Sequence, residues 1–481
     1  LGASLLPIPD VETDLLAGVT SGVAEAPAQV ELEVMPADYY ASQGADLAVD
    51  VVFRNYSDVD LMGLSLGLEA PMGWTVSAAS APVDVPVGET ASASFTVSVP
   101  ADADVTAAQT LVGRFDAVDG NGDARYATKR ALVQITPPVS MELQPIEAVR
   151  IYRDWARQNH IQHLVQLVPA EVAVGAGETG AVPVVLSNRS ADAVEVTVGV
   201  SLDSADVSLD AGEQTVTVPA GETMMVDFMA TVPADMAQTS FAISASATYG
   251  DYNLTDEGTF QVVPTLTVPM ATATPTIDGD ISEFAGLPSY TIPYTNIWEG
   301  GADDAADLTG TFQVMYDDQF LYVAVDVEDN VVVSNIAPND IKGHWRSDSV
   351  EITVDPQGPG VSEHTLTTFK TGIFPFDTEG NVQGERDADA DQGPLSLTAP
   401  DMQIASSHTD TGYILEVAIP WNAVPGELQS GDEFGFNVLI YDCDKAEAAI
   451  GENCNEARTA WSAWGQIQGN PRLWGHALLG Q

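Results

Sequence analysis

From about residue 29 the chain is written in short runs whose apolar and polar positions alternate, as in Phe95-Thr96-Val97-Ser98-Val99. Turn words such as Pro-Val-Gly-Glu and Pro-Ala-Asp close these runs. Alternation of period two places successive side chains on opposite faces of an extended chain, so it predicts half-buried β-strands, and short strands with regular turns predict sandwiches. One segment departs from the pattern. Between Ile146 and His160, Arg150, Arg153 and Arg157 fall at helical spacing beside Val149, Tyr152, Trp155 and Ala156, which predicts a short amphipathic helix serving as an interdomain strut.

The strand pattern is duplicated. Pro36, Asn55, Pro86 and Pro100 recur at one constant displacement as Pro169, Asn188, Pro219 and Pro233. The words around them match too: Val85-Pro86-Val87-Gly88-Glu89-Thr90 is answered by Val218-Pro219-Ala220-Gly221-Glu222-Thr223. A repeat of this kind predicts two copies of one module. At 481 residues the chain has room for a third unit with its own core.

Charge narrows the partners. The formal net charge of -54, from 70 acidic and 16 basic residues, opposes nucleic acid and anionic membrane surfaces. No apolar run is long enough for a membrane span. Lysine is confined to Lys129, Lys342, Lys370 and Lys445, and acids are spread through well-patterned strands, which resembles the solvated surface of proteins from salt-loving organisms. The chain begins at Leu1, which suggests either a processed mature end or a cut from a larger protein. Cys443 and Cys454 lack the His or Cys companions of a zinc site, so a disulfide closing a small loop is expected, with an oxidising compartment.

Two resemblances follow from longer words. Leu68-Glu69-Ala70-Pro71-Met72-Gly73-Trp74-Thr75-Val76, followed by the Pro-x-Gly-Glu turn and Thr-Val-Ser-Val-Pro-Ala, resembles the Ig-like domains that accompany alpha-galactosidases and other secreted glycan-active proteins. The second copy lacks the Pro-x-Gly-Trp word. Further on come Thr276-Ile277-Asp278-Gly279-Asp280, Trp345-Arg346-Ser347-Asp348-Ser349-Val350-Glu351-Ile352-Thr353-Val354-Asp355-Pro356, Val417-Ala418-Ile419-Pro420-Trp421 and Phe434-Gly435-Phe436-Asn437-Val438. In that order they resemble the family 9 carbohydrate-binding modules. The resemblance implies a β-sandwich that holds sugar chain ends between two Trp rings and carries structural calcium.

The expected fold class is therefore all-β: two tandem Ig-like β-sandwiches followed by a larger β-sandwich of the carbohydrate-binding-module type. The expected boundaries are 1–28 for a linker or docking strand and 29–137 for the first Ig-like domain. Residues 138–162 are expected as a connector with a short helix, 163–265 as the second Ig-like domain, and 266–481 as the carbohydrate-binding-module-like domain.

The resemblance places the first aromatic clamp on Trp345. The residues themselves agree, because Val350, Ile352 and Val354 alternate onto one face and put Ser349, Glu351 and Thr353 on the other. If the preceding segment is extended, Trp345 shares that outer face with Glu351, pairing an aromatic plane for a pyranose with a carboxylate for its hydroxyls. The position matching the second clamp is Gln468, with Trp461, Trp464 and Trp474 as substitutes. The family's further polar strand is here His364-Thr365-Leu366-Thr367-Thr368-Phe369-Lys370, without the Gln and Arg expected of it. For calcium, hard oxygen ligands at short spacing are offered by Asp278, Asp280 and Glu283, and by Asn437, Asp442 and Asp444.

No His-Glu-x-x-His or Cys-x-x-Cys word is present, and no catalytic centre is expected. The function expected is a non-catalytic extracellular or cell-surface protein whose C-terminal sandwich binds a polysaccharide or other glycan, with the Ig-like domains as spacers. Two alternatives stand beside it. One is a structural component of a surface layer, filament or larger extracellular complex with other surface proteins as partners; the other is an accessory region of a larger secreted glycan-active enzyme.

Overall fold

A computed structural model of the chain describes residues 30–480 apart from 79, 107, 146, 160, 162–169, 339, 341–342, 363–366 and 387–400. The expected leading segment 1–28 and the first three residues of the polar segment beginning at His364 lie outside the described residues. Nearly every element is a strand, and the one α-helix among the described residues is Glu147–Gln158.

The first body pairs a four-stranded sheet, ordered Val30–Pro36, Asp46–Asn55, Thr90–Ser98, Thr75–Val76, with a five-stranded sheet. The latter runs Tyr40–Ser42, Ala124–Thr136, Ala108–Asp119, Leu61–Glu69, Val83–Val85. The second body repeats both orders. Its four-stranded sheet is Val139–Leu143, Thr179–Asn188, Thr223–Thr231, Ser208–Leu209, and its five-stranded sheet is Ala170–Gly175, Tyr252–Val263, Thr239–Tyr249, Val194–Leu202, Glu213–Val218. Each body closes over its own apolar core, with Phe53, Phe95 and Phe115 in the first and Phe228 and Phe260 in the second. The alternation seen along the chain is the alternation of burial along strands such as Asp46–Asn55.

The repeated asparagines explain why the duplication is so plain. Asn55 Nδ2 donates to Val59 O and Val85 O, both at 3.0 Å, while its Oδ1 accepts from Ser57 N and Oγ. Asn188 does the same with Asp192 O, Val218 O and Ser190. A buried amide that satisfies several main-chain groups at once has no cheap substitute.

The boundary between these bodies differs from the expected connector. Val139–Leu143, inside the segment assigned to 138–162, is the edge strand of the second body and pairs antiparallel with Thr179–Asn188. The last long strand of the first body thus passes through Pro137 and Pro138 straight into the second. The next junction is shorter still: Tyr252–Val263 passes through Pro264 into Thr265–Val268, which pairs in parallel with Gly475–Leu479 of the third body.

That third body is the largest. One sheet runs Thr265–Val268, Gly475–Leu479, Glu433–Asp442, Ser349–Asp355, Phe369–Phe374, Gln383–Arg386, with Ala457–Ala460 bridging Glu433–Asp442 to Ile297–Gly300. The facing sheet runs Tyr290–Ile292, Leu308–Tyr316, Phe320–Asp329, Gly412–Pro420, Gln403–His408. Val350, Ile352, Val354, Phe436, Val323 and Val417 fill the space between them. Cys443 and Cys454 form a disulfide.

Candidate functional site

The strand Ser349–Asp355 is buried along its whole length, on both faces. Val350, Ile352 and Val354 enter the core, so Ser349, Glu351 and Thr353 do lie on the opposite face, but that face is not open to solvent as expected. The turn before the strand is bonded to it through Ser349, and the chain after residue 460 lies against the neighbouring strand, where Ser462 meets Asn437. Ser349 Oγ donates to His344 O at 2.7 Å and to Ser347 O at 3.2 Å, so it fastens the turn rather than presenting itself to a ligand. Thr353 is fully buried.

Glu351 is the centre of a buried polar group. Its Oε2 lies 2.7 Å from His344 Nε2 and accepts from Tyr441 Oη at 2.9 Å, and its Oε1 lies 3.3 Å from Lys370 Nζ. Burial works to raise its pKa. The Lys370 ammonium and the bonds from His344 and Tyr441 outweigh burial and hold the carboxylate down at about 2. The His344 ring fits beneath the turn only because residue 372 is glycine: a Cβ there would stand 2.2 Å from His344 Nδ1.

The segment before the strand is a short 3₁₀ turn, His344–Arg346, not the extended run expected. Gly343 opens it in the left-handed region, at φ +81°, which glycine adopts without strain. The tightness of this turn separates two neighbours: His344 goes in, and Trp345 goes out with 39% of its surface exposed. The two rings meet edge to face at 5.6 Å, and His344 meets Tyr441 in the same way at 5.0 Å. An exposed indole is thus connected through His344 to a buried, charge-balanced carboxylate.

The substitutes for the second clamp do not join it. Trp474 is fully buried and spends its Nε1-H on Ile467 O at 2.7 Å. Trp461 is core. Trp464 is half-buried and packs in a cluster that reaches Ala173 of the second body, where Gln238 also makes a two-way bond with Ala463. That loop therefore serves as a contact between bodies.

A second polar group occupies the end of the third sandwich where its two sheets meet. Carboxylate oxygens of Asp329, Asp348 and Asp442 lie within 4.8 Å of one another, and all three residues are buried. Asp329 ends a strand of one sheet; Asp442 ends a strand of the other, and Asp348 stands just before its neighbour. Asp307 and Asp444 adjoin them. Both carboxylate oxygens of Asp442 are buried without a hydrogen-bond partner, as is the hydroxyl of the fully buried Tyr413, whose surroundings include all three acids. Burial, then mutual repulsion, pushes Asp442 up to about 8 and Asp348 well above the usual carboxylate range. Burial and Asp307 raise Asp444 to about 6, and burial chiefly raises Asp329 to about 6.

Such a group suits a hard divalent cation. Oxygen ligands at about 2.3–2.6 Å around one calcium lie no more than roughly twice that distance apart. Asp442 and Asp444 were expected here; Asp329, Asp348 and Asp307 were not, because they approach from strand ends far away in sequence. The signal was an Asp capping otherwise apolar strands. The other expected ligands are engaged elsewhere. Asn437 Oδ1 accepts Val438 N and Ser462 N, and its Nδ2 donates to Ser462 O. Asp278 Oδ1 accepts Asp280 N, Asp280 caps the turn Ile281–Phe284, and Glu283 accepts from Thr276 N. These three shape an exposed turn and form no carboxylate cluster among the described residues.

The matches to known families fall within the first and third bodies. Residues 277–481 match the carbohydrate family 9 binding domain-like family, and residues 41–110 match the NPCBM-associated NEW3 domain of alpha-galactosidase. Similar proteins include the exoglucanase XynX of Acetivibrio thermocellus, 31% identical over 198 residues, and the endo-1,4-beta-xylanase A of Thermoanaerobacterium saccharolyticum, 30% identical over 199 residues. Each alignment covers 41% of this chain, but only 15% and 14% of those relatives' own lengths. Among solved structures, a family 9 carbohydrate-binding module from Caldicellulosiruptor kristjanssonii in complex with cellotriose covers 45% of this chain and 94% of its own, at 18% identity and a TM-score of 0.34. A putative carbohydrate-binding protein from Bacteroides uniformis covers 44% and 97%, at 14% identity and a TM-score of 0.33. Among the described residues no helix is long and apolar enough to cross a membrane.

Proposed function

Taking the resemblance of residues 277–481 to family 9 carbohydrate-binding domains as the premise, we propose that this sandwich binds a neutral glycan at Trp345 and has no catalytic role. The observation that carries the reading is the turn His344–Arg346, which holds one indole at the surface while tying its neighbour to Glu351. Trp345 supplies the flat apolar surface that a pyranose ring stacks on. Glu351, balanced by Lys370, gives His344 and Tyr441 fixed orientations. A neutral sugar also escapes the repulsion that a chain of net charge -54 exerts on anions.

The two bodies before it act as spacers, and the region serves as an accessory part of a secreted, glycan-directed assembly. The names of the matched relatives, an exoglucanase and a xylanase, and the disulfide between Cys443 and Cys454 support this setting. Asp329, Asp348 and Asp442 are the residues that hold calcium, with Asp307 and Asp444 beside them; the ion supplies positive charge that joins the two sheets.

The test is binding to a panel of cello- and xylo-oligosaccharides and insoluble polysaccharides, for the full chain and for Trp345→Ala. Stacking contacts of this kind are worth about 1–1.5 kcal/mol, so affinity falls roughly tenfold in the variant. Absence of binding to every member of the panel, or equal binding by both proteins, rejects the reading.

A further inference from the structure

The turn that carries Trp345 hangs between the acidic group and the disulfide loop. On one side Asp348 Oδ1 accepts Cys443 N-H at 2.7 Å and Oδ2 accepts Val333 N-H at 2.5 Å. On the other, Cys454 N-H donates to Arg346 O at 2.9 Å, and the Arg346 guanidinium donates to Gly451 O at 3.2 Å and Asp340 O at 2.8 Å. Asn335 pins the same loop, giving its Nδ2 protons to Ala449 O and Glu452 O and its carbonyl to Gly451 N. Asp442, Cys443, Asp348 and the turn are therefore one mechanical unit, with Trp345 at its free end.

The unit is built to close around something. Three buried carboxylates face one another, both oxygens of Asp442 have no partner, and the buried Tyr413 hydroxyl has none. Without a counter-ion the three acids repel one another, and Asp348 cannot move away without pulling Ser347 and the turn behind it.

We infer that cation occupancy at Asp329, Asp348 and Asp442 fixes the position of the Trp345 turn, so that glycan binding and calcium binding are thermodynamically linked. The inference rests on the reading of Trp345 as the glycan platform. Linkage is reciprocal: whatever factor calcium adds to glycan affinity, the glycan adds to calcium affinity.

The experiment uses the full chain labelled with 5-fluorotryptophan, the Trp345 fluorine resonance being identified by its loss in Trp345→Phe. It compares calcium chloride with a chelator and measures cellotriose affinity in both states. The expected result is a calcium-dependent shift of the Trp345 resonance and a glycan affinity higher by roughly 5- to 150-fold with calcium. Asp442→Asn abolishes both responses, and the wild-type comparison stands if that variant folds poorly. Calcium binding that raises thermal stability but leaves the resonance and the affinity unchanged overturns the inference and spares the glycan reading. No calcium binding at all also overturns it. A resonance that responds to calcium in a protein that binds no glycan on the panel upholds the coupled turn and overturns the glycan reading instead.

Discussion

Glu351 and Asp348 stand on the same short stretch of chain, both buried, yet their carboxyl groups are pushed in opposite directions. Glu351 meets Lys370, His344 and Tyr441, all supplied by the chain, and stays ionised down to about pH 2. Asp348 meets Asp329 and Asp442 and is driven toward its neutral form. Burial alone raises a carboxyl's pKa; the sign of the outcome depends on whether the protein itself brings the opposing charge. The first group is complete as folded, and the second calls for a cation.

The largest way to break this contrast is to remove the chain's own cation. Lys370→Met leaves Glu351 buried without its ammonium, and loss of one partner of a buried pair costs about 3–5 kcal/mol. Chemical denaturation should show that loss, and an unchanged midpoint would mean that the ammonium contributes nothing. Supplying the missing cation is next. At one hundred times its dissociation constant, calcium adds about 2.7 kcal/mol, or roughly 5–10 °C in the melting temperature of the third body, and a chelator reverses it.

The pH profiles sharpen the contrast further, since the two groups carry opposite signs. Asp442 keeps its proton in the folded state to about pH 8, whereas the unfolded chain releases it near 4. Between those values the folded state holds more protons, so in chelator its contribution to stability falls as pH rises through that window. Glu351 is depressed to about 2, so its contribution is present above the unfolded value near 4.3 and is lost as pH falls toward 2. Calorimetry in chelator resolves both slopes, and Asp442→Asn flattens the first. The smallest effect on stability belongs to Trp345→Ala. An exposed side chain at a turn changes stability by about 0.5 kcal/mol or less, even where the proposed glycan affinity falls roughly tenfold. A large drop in its melting temperature would make Trp345 a packing residue.

Much of the fold is written locally and was legible for that reason. Asn55 and Asn188 each answer several main-chain groups, and the Pro-x-Gly-Glu turns have few alternatives, so the duplicated pattern survived in residues that one can see. Alternation also put Glu351 on the correct face of its strand. What alternation does not encode is what lies over that face: the turn at His344, with Tyr441 and Lys370 closing on Glu351, turned an expected open surface into a second buried layer. Trp474 and Trp464 were misplaced for the same cause, since an indole that packs and one that binds have the same letter. The acidic group was half legible. Asp442 and Asp444 are close in sequence, but Asp307, Asp329 and Asp348 reach them only when two sheets close on each other.

The second and third bodies are joined at Pro264. A strand of the second body becomes a strand of the third with a single residue between, and His476 on the neighbouring strand reaches back 2.6 Å to Glu178. A single residue and a cross-body contact leave no linker at that point. If the third sandwich grips a polymer as proposed, the bearing it takes is passed to the body joined to it at Pro264, as the angle of a gripping hand is passed to the wrist.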